Sequence, residues 1–214
     1  MESAFRKEKT ERGLAVRVVL FDWGGVLVDD PSPGILEYVK TRLGPGANHG
    51  FEFPEEPMKA FQKGWISEKE FWKQVTVDLL PHPGEIQPGL WREAFESIYR
   101  EKPEVFAWIG RLRAVSIGTS ALSNTEAPSV EMLHDKNYDC FDETIFSCDC
   151  GWVKPEPEIY QLALGKVECQ PGEILFIDDR QANAEAARAA GFKAHRFTSV
   201  SELFGVAAEL GLPV

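Results

Sequence analysis

The sequence predicts an α/β fold in which a parallel sheet is interrupted by an inserted helical segment. Five short apolar runs alternate with helical patterns, as in successive βαβ units. Between residues 31 and 101 the periodicity is helical only. Several of the apolar runs end in polar residues, which is typical of strands whose carboxyl ends form a ligand site. We therefore expect a Rossmann-like parallel-sheet core with a small helical-bundle cap domain inserted into it.

The first strand is expected to end at Asp22. Residues 18–21 are apolar without a period of two, which suits a strand buried on both faces. Such a strand delivers Asp22 to the ligand-binding edge of the sheet. Gly24 and Gly25 follow, and they allow a sharp turn that brings backbone N–H groups close to an anion. Taken alone, the segment fits equally well an acid that ends a strand and opens a turn.

After Asp30 the pattern becomes helical. Four segments carry apolar residues at helical spacing: residues 35–43, 58–63, 71–79 and 91–99. Ser67 and Glu70 form a capping box before the third of these segments. From these boundaries we expect three parts: residues 31–101 as a helical cap, residues 16–30 and 102–214 as an α/β core, and residues 1–15 as a flexible N-terminal tail.

The remainder of the chain alternates between helices and strands. Four further strands are predicted, over residues 115–122, 143–147, 173–177 and 193–197. Helices are predicted over residues 104–113, 128–137, 155–165 and 182–190. Ser123 and Asn124 follow the second strand, and Asp178 and Asp179 follow the fourth. Because the carboxyl ends of parallel strands share one edge, we expect these residues to lie near Asp22.

Composition limits the class of protein. The 214-residue chain has 23 basic and 34 acidic residues, a net charge of −11, and no run of Lys or Arg. This charge argues against a nucleic-acid partner, and it requires any phosphate site to be locally positive. No window is long and apolar enough for a membrane span, and residues 1–15 lack the apolar core of a signal peptide. We expect a cytoplasmic protein, monomeric or homodimeric, without a membrane partner.

The four cysteines are not expected to bind a metal. Cys148 and Cys150 are close in sequence, with Cys140 nearby and Cys169 further on, but no CxxC pair and no neighbouring His accompanies them. Free thiols in a reducing compartment are therefore predicted.

The acids at the predicted strand ends indicate a metal site. Asp22 would repel Asp178 and Asp179 unless a cation lay between them. A hard dication such as Mg²⁺ prefers oxygen ligands and also binds phosphate oxygens. The sequence therefore predicts a Mg²⁺ site at this edge, and a small phosphorylated molecule as the partner.

The groups around these acids indicate phosphoryl transfer. Lys154, after the third strand, supplies a positive charge for a phosphate and for Asp22. Ser123 and the backbone N–H groups near Gly24 and Gly25 can donate to phosphate oxygens. The reaction that these groups assemble is attack by Asp22 on phosphorus, giving an aspartyl phosphate that water hydrolyses. Each group alone has an ordinary explanation as a cap, a solvated lysine or a turn, but their joint occurrence at successive strand ends does not.

Four segments make the sequence similar to the haloacid dehalogenase-like (HAD) hydrolase superfamily: residues 21–27, 122–124, 153–160 and 176–183. Residues 64–72 also resemble the helical cap of its subfamily I. Within that subfamily the sequence resembles bacterial sugar-1-phosphate phosphatases and the N-terminal phosphatase domain of soluble epoxide hydrolases. The resemblance implies a Mg²⁺-dependent phosphatase acting on a small metabolite such as a sugar phosphate.

The resemblance also implies roles for individual residues. Asp22 would be the nucleophile, and Lys154 and Ser123 would bind the phosphate. Asn124 would help to bind the substrate. The implied metal site consists of Asp22, the backbone carbonyl of Gly24 and Asp179, supported by Asp178 and Asn183.

One position departs from the family pattern. Phosphatases of this superfamily usually carry a second Asp two residues after the nucleophile, where this chain has Gly24. General acid–base help is worth about 10²–10⁴-fold in rate. Either the substrate has a good leaving group, or another acid (Asp29, Asp30 or Asp178) substitutes, or the protein is a weak enzyme or a binding module.

Two other hydrolytic reactions remain open. A haloacid dehalogenase expels halide and needs no second Asp, but it also needs no Mg²⁺. A phosphonate hydrolase requires a Schiff-base lysine in the cap, and no cap lysine stands out by its sequence context. The cap should select the substrate, and Trp65, on the turn before the capping box, is the residue we expect to face Asp22.

Overall fold

The computed structural model describes residues 15–44, 50–76, 86 and 88–214. Its centre is a five-stranded, all-parallel sheet in the order β3-β2-β1-β4-β5. The strands are β1 (Val18–Phe21), β2 (Gly118–Ser123), β3 (Glu143–Phe146), β4 (Ile174–Asp178) and β5 (Lys193–Arg196). The Rossmann-like α/β core predicted from the sequence is confirmed, and each predicted strand has its counterpart.

Two sequence predictions concern residues outside this part of the chain. The expected tail spans residues 1–15, of which only Ala15 is described, and the third cap helix was expected to extend over residues 77–79. The division into core and cap domains stays a prediction.

Helices surround the sheet. In the inserted region between β1 and β2, the described residues form α1 (Ser32–Leu43), α2 (Glu55–Gln62), α3 (Glu68–Thr76) and α4 (Leu90–Ile98). The others follow in chain order: α5 (Pro103–Ala114), α6 (Ala127–Lys136), the single turn α7 (Ser147–Cys150), α8 (Pro157–Val167), α9 (Gln181–Ala189) and α10 (Val200–Glu209). No helix of the described chain is long and apolar enough to cross a membrane.

The register of the sheet sets the position of the site. Phe21, the last residue of β1, lies level with Ala121 on one side and Ile177 on the other. The Asp22 N–H then donates to the Ile177 carbonyl at 2.8 Å. The next residues of all three strands therefore emerge together at the carboxyl edge of the sheet.

The central strand is buried on both faces, which explains its lack of alternation. Val19 and Phe21 belong to one apolar layer, where the Phe21 ring meets Trp108 edge-on at 5.7 Å between centroids. Leu20 points into the opposite layer with Tyr160 and Phe176. Because apolar side chains are removed from water on both sides, the strand is strongly stabilised by the hydrophobic effect.

An aromatic cluster holds the inserted helices together. Phe61 of α2 stacks on Phe71 of α3 with centroids 4.7 Å apart, and Trp91 of α4 meets both rings edge-on. The aromatic residues that the sequence placed at helical spacing are therefore mostly the interior of this region.

The entering and leaving segments of the insertion run side by side. Val28 forms an antiparallel bridge with Glu101, and the Asp29 N–H donates to the Arg100 carbonyl at 2.9 Å. The Lys102 N–H donates to the Leu27 carbonyl at 2.8 Å. These bonds tie both connections to the end of β1, beside Asp22.

The structure differs from the sequence prediction at three elements. Strand β2 begins at Gly118 rather than residue 115, because Ser116 adopts a left-handed turn with φ 62° after α5. Residues 147–150 form the one-turn helix α7 where the third strand was expected to end. Helix α10 has no counterpart in the sequence prediction. All four cysteines are free thiols, as predicted.

Candidate active site

Three carboxylates meet at the carboxyl edge of the sheet. Asp22 follows β1, Asp178 ends β4 and Asp179 comes next, and one oxygen from each lies within 4.8 Å of the others. Strand pairing brings these acids together although more than 150 residues separate them, since β1 and β4 are direct neighbours. Three negative charges at this spacing are unfavourable without cations.

One cation of the described chain reaches this cluster. The Lys154 ammonium lies 2.7 Å from Asp22 Oδ1 and 2.7 Å from Asp178 Oδ2, and it donates to the Leu122 carbonyl at 2.9 Å. Its side chain is only 1% exposed. Every proton of the ammonium therefore has an acceptor, and the lysine joins β1, β2 and β4 at their ends.

Asn124 fixes the main chain of Lys154. Its side-chain NH₂ donates to the Lys154 carbonyl at 2.9 Å, and its side-chain oxygen accepts from the Lys154 N–H at 2.8 Å. Both polar ends of the amide are used in this pair of bonds. The residue that the sequence suggested for substrate binding thus positions the buried lysine.

The charge balance of the cluster changes the acidity of its members. Burial raises the pKa of the Asp22 carboxyl to about 7; Lys154 opposes this shift and Asp178 reinforces it. Burial and the negative charge of Asp178 also raise the pKa of Asp179. Burial acts to lower the pKa of Lys154, but Asp22 and Asp178 outweigh it and raise that pKa. Burial is the main cause for the two acids, and the neighbouring carboxylates are the cause for the lysine.

The two adjacent acids of β4 have different surroundings. Asp178 is fully buried and accepts from Lys154, the Arg180 N–H at 2.8 Å and the Asn183 amide at 3.0 Å. Asp179 instead faces the cavity described below. Asp178 is therefore held in place by donors on both oxygens, whereas Asp179 presents its carboxylate to a ligand.

Two glycines line the turn after Asp22. Gly25 has a φ of +80°, and a Cβ built on it would lie 2.5 Å from Asp179 Oδ2. A Cβ on Gly24 would lie 3.0 Å from Cδ of the Pro31 ring. A side chain at Gly25 would thus displace the Asp179 carboxylate, and one at Gly24 would press on the Pro31 ring.

A cavity of about 530 Å³ opens above the cluster, within the size range of small-molecule sites. One end is polar, with Asp22, Ser123, Lys154 and Asp179. The Ser123 hydroxyl accepts from the Thr125 hydroxyl at 2.6 Å, which leaves its own proton for a ligand. The other end is walled mainly by apolar side chains from the insertion and α6: Ile35, Phe53, Met58, Trp91, Phe95 and Leu133.

The structure brings most of the predicted site residues to this cavity. Seven of them line it: Asp22, Gly24, Ser123, Asn124, Lys154, Asp179 and Asn183. Gly25 and Asp178 lie directly behind the lining. Trp65 is not among the described residues that line the cavity. The chain turns at Gly64, with φ +68°, and leaves the Trp65 side chain 66% exposed on the outer surface over Lys63.

Sequence reasoning missed several cavity residues. Gln62 and Glu126 meet across the cavity wall, where the Gln62 Nε2 donates to Glu126 Oε1 at 3.0 Å. Thr125 orients Ser123. Glu126 stands three residues after Ser123, and its closeness to the strand end was the one signal available in the sequence.

A family model for the haloacid dehalogenase-like hydrolases matches residues 16–191. The chain is 27% identical to mouse (Mus musculus) acyl-CoA dehydrogenase family member 10, over 94% of this chain but only 20% of that protein, so it spans about a fifth of that relative. It is 24% identical to D-ribitol-5-phosphate phosphatase of Bacteroides thetaiotaomicron, over 83% of this chain and 90% of the relative.

A solved structure shares the fold. A HAD family enzyme from Bacteroides thetaiotaomicron, in complex with magnesium and inorganic phosphate, superposes with a TM-score of 0.73. It is 22% identical in sequence, and the match covers 88% of this chain and 99% of that chain. At this identity the likeness establishes the architecture.

Proposed function

Because the chain belongs to the haloacid dehalogenase-like hydrolase family, we propose that it is a Mg²⁺-dependent phosphatase of small phosphorylated metabolites, such as a sugar phosphate. The observation that carries this proposal is the cluster of three carboxylates around one buried lysine. With its acids ionised, this group has an excess of two negative charges, which one dication would balance.

The donor set fits Mg²⁺. Carboxylate oxygens are the hard ligands that this ion prefers, and the close approach of Gly25 to Asp179 leaves a narrow, backbone-lined space beside them. Asp22, Asp179 and the Gly24 carbonyl would hold the ion, with Asp178 and Asn183 behind them. When bound, Mg²⁺ would neutralise the carboxylates and polarise a phosphate oxygen. The Bacteroides enzyme of the same fold was solved with magnesium and phosphate, which supports this assignment.

The side chains around Asp22 suit it to attack phosphorus. Its Oδ1 accepts from the Trp23 N–H at 2.6 Å and from Lys154 at 2.7 Å, which fixes the carboxylate at the sheet edge. A carboxylate oxygen forms a bond to phosphorus while the bond to the leaving oxygen breaks, and that oxygen takes up a proton. Water then attacks the aspartyl phosphate, releases phosphate and restores Asp22. The Ser123 hydroxyl donates to a phosphoryl oxygen, and Lys154, whose three protons already have acceptors, contributes its positive charge beside the phosphate.

The proton for the leaving oxygen does not come from position 24. An Asp in place of Gly24 would crowd the Pro31 ring. Of the three substitutes that the sequence offers, Asp178 is saturated with hydrogen bonds and Asp29 pairs with Lys102. Asp30 lines the cavity, so we assign the acid–base role to Asp30 for substrates that need it. Substrates with good leaving groups need no such help.

The alternatives within the superfamily fit less well. Phosphonate hydrolysis needs a lysine that can lose its proton to form a Schiff base. Lys59, the insertion lysine at the cavity, pairs with Glu156 at 3.0 Å, which raises its pKa. Dehalogenation needs no metal, so it would not explain why three carboxylates lie together at this edge of the sheet.

The test is hydrolysis of a panel of phosphate esters by the wild type and by Asp22→Asn. The panel contains sugar-1-phosphates, sugar-6-phosphates, acyl phosphates and p-nitrophenyl phosphate. We expect turnover that needs Mg²⁺, is abolished by chelation, and falls by at least about 10³-fold in Asp22→Asn because the nucleophile is lost. Hydrolysis that persists in Asp22→Asn, or none on any ester, would contradict the proposal.

A second test addresses the metal site through Gly25. In Gly25→Ala the added Cβ displaces the Asp179 carboxylate, so we expect the Mg²⁺ concentration for half-maximal activity to rise by about 10- to 100-fold. Gly44→Ala is the matched control, since Gly44 has a φ of +81° with nothing within 4 Å of its Cβ. The control should retain the wild-type Mg²⁺ requirement. An equal shift in both variants would show that the effect is not local to Asp179.

A further inference from the structure

Glu126 is a buried carboxylate in the wall of the cavity. Its residue surface is only 7% exposed, yet it belongs to the cavity lining. Its neighbours are neutral: Gln62 donates to it at 3.0 Å, and Trp91 and Ser129 lie beside it, themselves joined by a 3.0 Å hydrogen bond. No ion pair of the described chain includes Glu126. Burying a carboxylate without a cation is costly.

The hydrogen bonds of this carboxylate come from neutral groups, and no cation of the described chain balances its charge. Glu126 occupies the N-cap position of α6, but its side chain makes no capping hydrogen bond. Its side-chain hydrogen-bond partners are the neutral groups of Gln62, Trp91 and Ser129. Gln62 lies on the inserted region, and its carbonyl accepts from the Ser147 hydroxyl at 2.6 Å. Both residues of the pair line the cavity in which a ligand would bind.

The cavity as a whole is acidic. Six acids of the described chain line it, namely Asp22, Asp30, Glu55, Glu126, Glu156 and Asp179, against three bases, Lys59, Lys154 and Arg180. Lys154 is paired with Asp22 and Asp178, and Lys59 is paired with Glu156. Arg180 is the remaining base of the lining, so an anionic group is disfavoured where it lies beside Glu126, which has no counter-charge in the described chain.

We propose that Glu126 selects phosphate esters whose leaving group carries a hydrogen-bond donor, a hydroxyl or an ammonium, and rejects those whose leaving group is anionic. The inference rests on the proposed phosphatase function and adds the substrate class. Ser123 and Glu126 are three residues apart, so their Cα atoms are at most about 11 Å apart. A donor a few bonds from the phosphate fits this separation, as in a small amino alcohol or polyol phosphate.

The experiment compares four alkyl phosphates of similar size. They are phosphoethanolamine with an ammonium, ethylene glycol monophosphate with a hydroxyl, propyl phosphate with neither, and phosphoglycolate with a carboxylate. We expect wild-type kcat/KM to be at least about 10-fold higher for the first two than for the others, as hydrogen bonds to a charged group allow. The ammonium and hydroxyl esters differ in charge, so their ratio tells which donor the site prefers.

Glu126→Gln should remove the discrimination. The preference for the ammonium ester over phosphoglycolate is expected to fall by about 10- to 100-fold, since the charge is lost. The hydroxyl ester should lose less, because the glutamine oxygen still accepts. Glu131→Gln is the control: it neutralises an exposed carboxylate of the same helix away from the cavity and should keep the wild-type ranking.

These outcomes distinguish a failure of the Glu126 inference from a failure of the proposed phosphatase function. If the wild type hydrolyses esters through Asp22 but prefers phosphoglycolate, or if Glu126→Gln ranks the esters as Glu131→Gln does, the inference is overturned and the phosphatase stands. If the wild type hydrolyses no ester, both fall. Should Glu126→Gln fail to fold, the wild-type ranking of the four esters still decides.

Discussion

Among single residues, Lys154 is the most constrained by charge. It is buried between Asp22 and Asp178, both at 2.7 Å, and the main chain around it is clamped by Asn124. The attraction offsets the cost of burying these groups only while both signs are present. Removing the lysine would leave buried carboxylates without a counter-charge.

We therefore predict that Lys154→Met lowers the free energy of unfolding by about 3–5 kcal/mol at neutral pH, the cost of breaking a buried ion pair from one side. Urea denaturation without Mg²⁺ measures this. Lys166→Met is the control, because Lys166 pairs with Glu143 at 3.4 Å with side chains 43% and 41% exposed. Exposed pairs contribute at most about 1 kcal/mol. Equal losses in the two variants would show that burial at Lys154 has no special cost.

Among the secondary-structure elements, the end of α2 contacts the one-turn helix α7, which follows β3. Lys63, which follows α2, lies 2.7 Å from Glu156. At Gly64, with φ +68°, a Cβ would lie 2.2 Å from the Cys148 carbonyl of α7. Backbone thus meets backbone at this point, and only glycine permits it. The contact positions Gln62 and Lys59 on the cavity wall.

We predict that Gly64→Ala moves α2 away from α7, lowers the melting temperature and raises KM. The left-handed conformation alone costs an alanine about 1–2 kcal/mol. Gly50→Ala separates this cost from the clash, since Gly50 has φ +74° with nothing within 4 Å of its Cβ. Thermal melts and KM on p-nitrophenyl phosphate compare the variants. A loss in Gly64→Ala no greater than in Gly50→Ala would contradict a packing role for the contact.

For the whole molecule, the buried acids make folding stability depend on pH. Burial raises the pKa of Glu126 above its usual value of 4.5, so the folded protein holds this proton more tightly than the unfolded chain does. The resulting stabilisation is complete below pH 4.5 and is lost as the pH rises through the folded pKa. Asp22, with its pKa raised to about 7, acts in the same direction.

We predict that Glu126→Gln becomes more stable relative to the wild type as the pH rises from 4 to 8, because the uncharged amide avoids burying a charge. The test is to measure the melting temperatures of both proteins across this range. The difference between them at each pH removes the contribution of the other titrating groups, which the two proteins share. Glu131→Gln controls for the loss of one charge from the same helix. A difference between Glu126→Gln and the wild type that is constant with pH would contradict the prediction.

The charge of the whole chain also bears on the site. From a net charge of −11 the sequence predicts that a phosphate site must be locally positive. In the structure the protein groups around Asp22 are instead dominated by carboxylates, with Lys154 as their counter-charge. The positive charge that a phosphate needs would thus come largely from the bound dication, which ties substrate binding to the metal.

The α/β architecture and the acids of the site could be predicted from the sequence, because both depend on local patterns and chain order. Apolar runs such as residues 18–21 identify buried strands, and parallel strands must present their carboxyl ends at one edge. Asp22, Ser123, Asp178 and Asp179 follow directly from their places at strand ends. These relations need no knowledge of how side chains pack.

Other features depend on contacts between residues far apart in the chain, so only the tertiary structure decides them. The amide of Asn124 binds the Lys154 backbone 30 residues away, and Gln62 reaches Glu126 across 64 residues. Trp65 faces outward because the turn at Gly64 is set by its contact with Cys148. Periodicity along the sequence predicts which face of an element is buried, but it does not identify the distant residues that each side chain contacts.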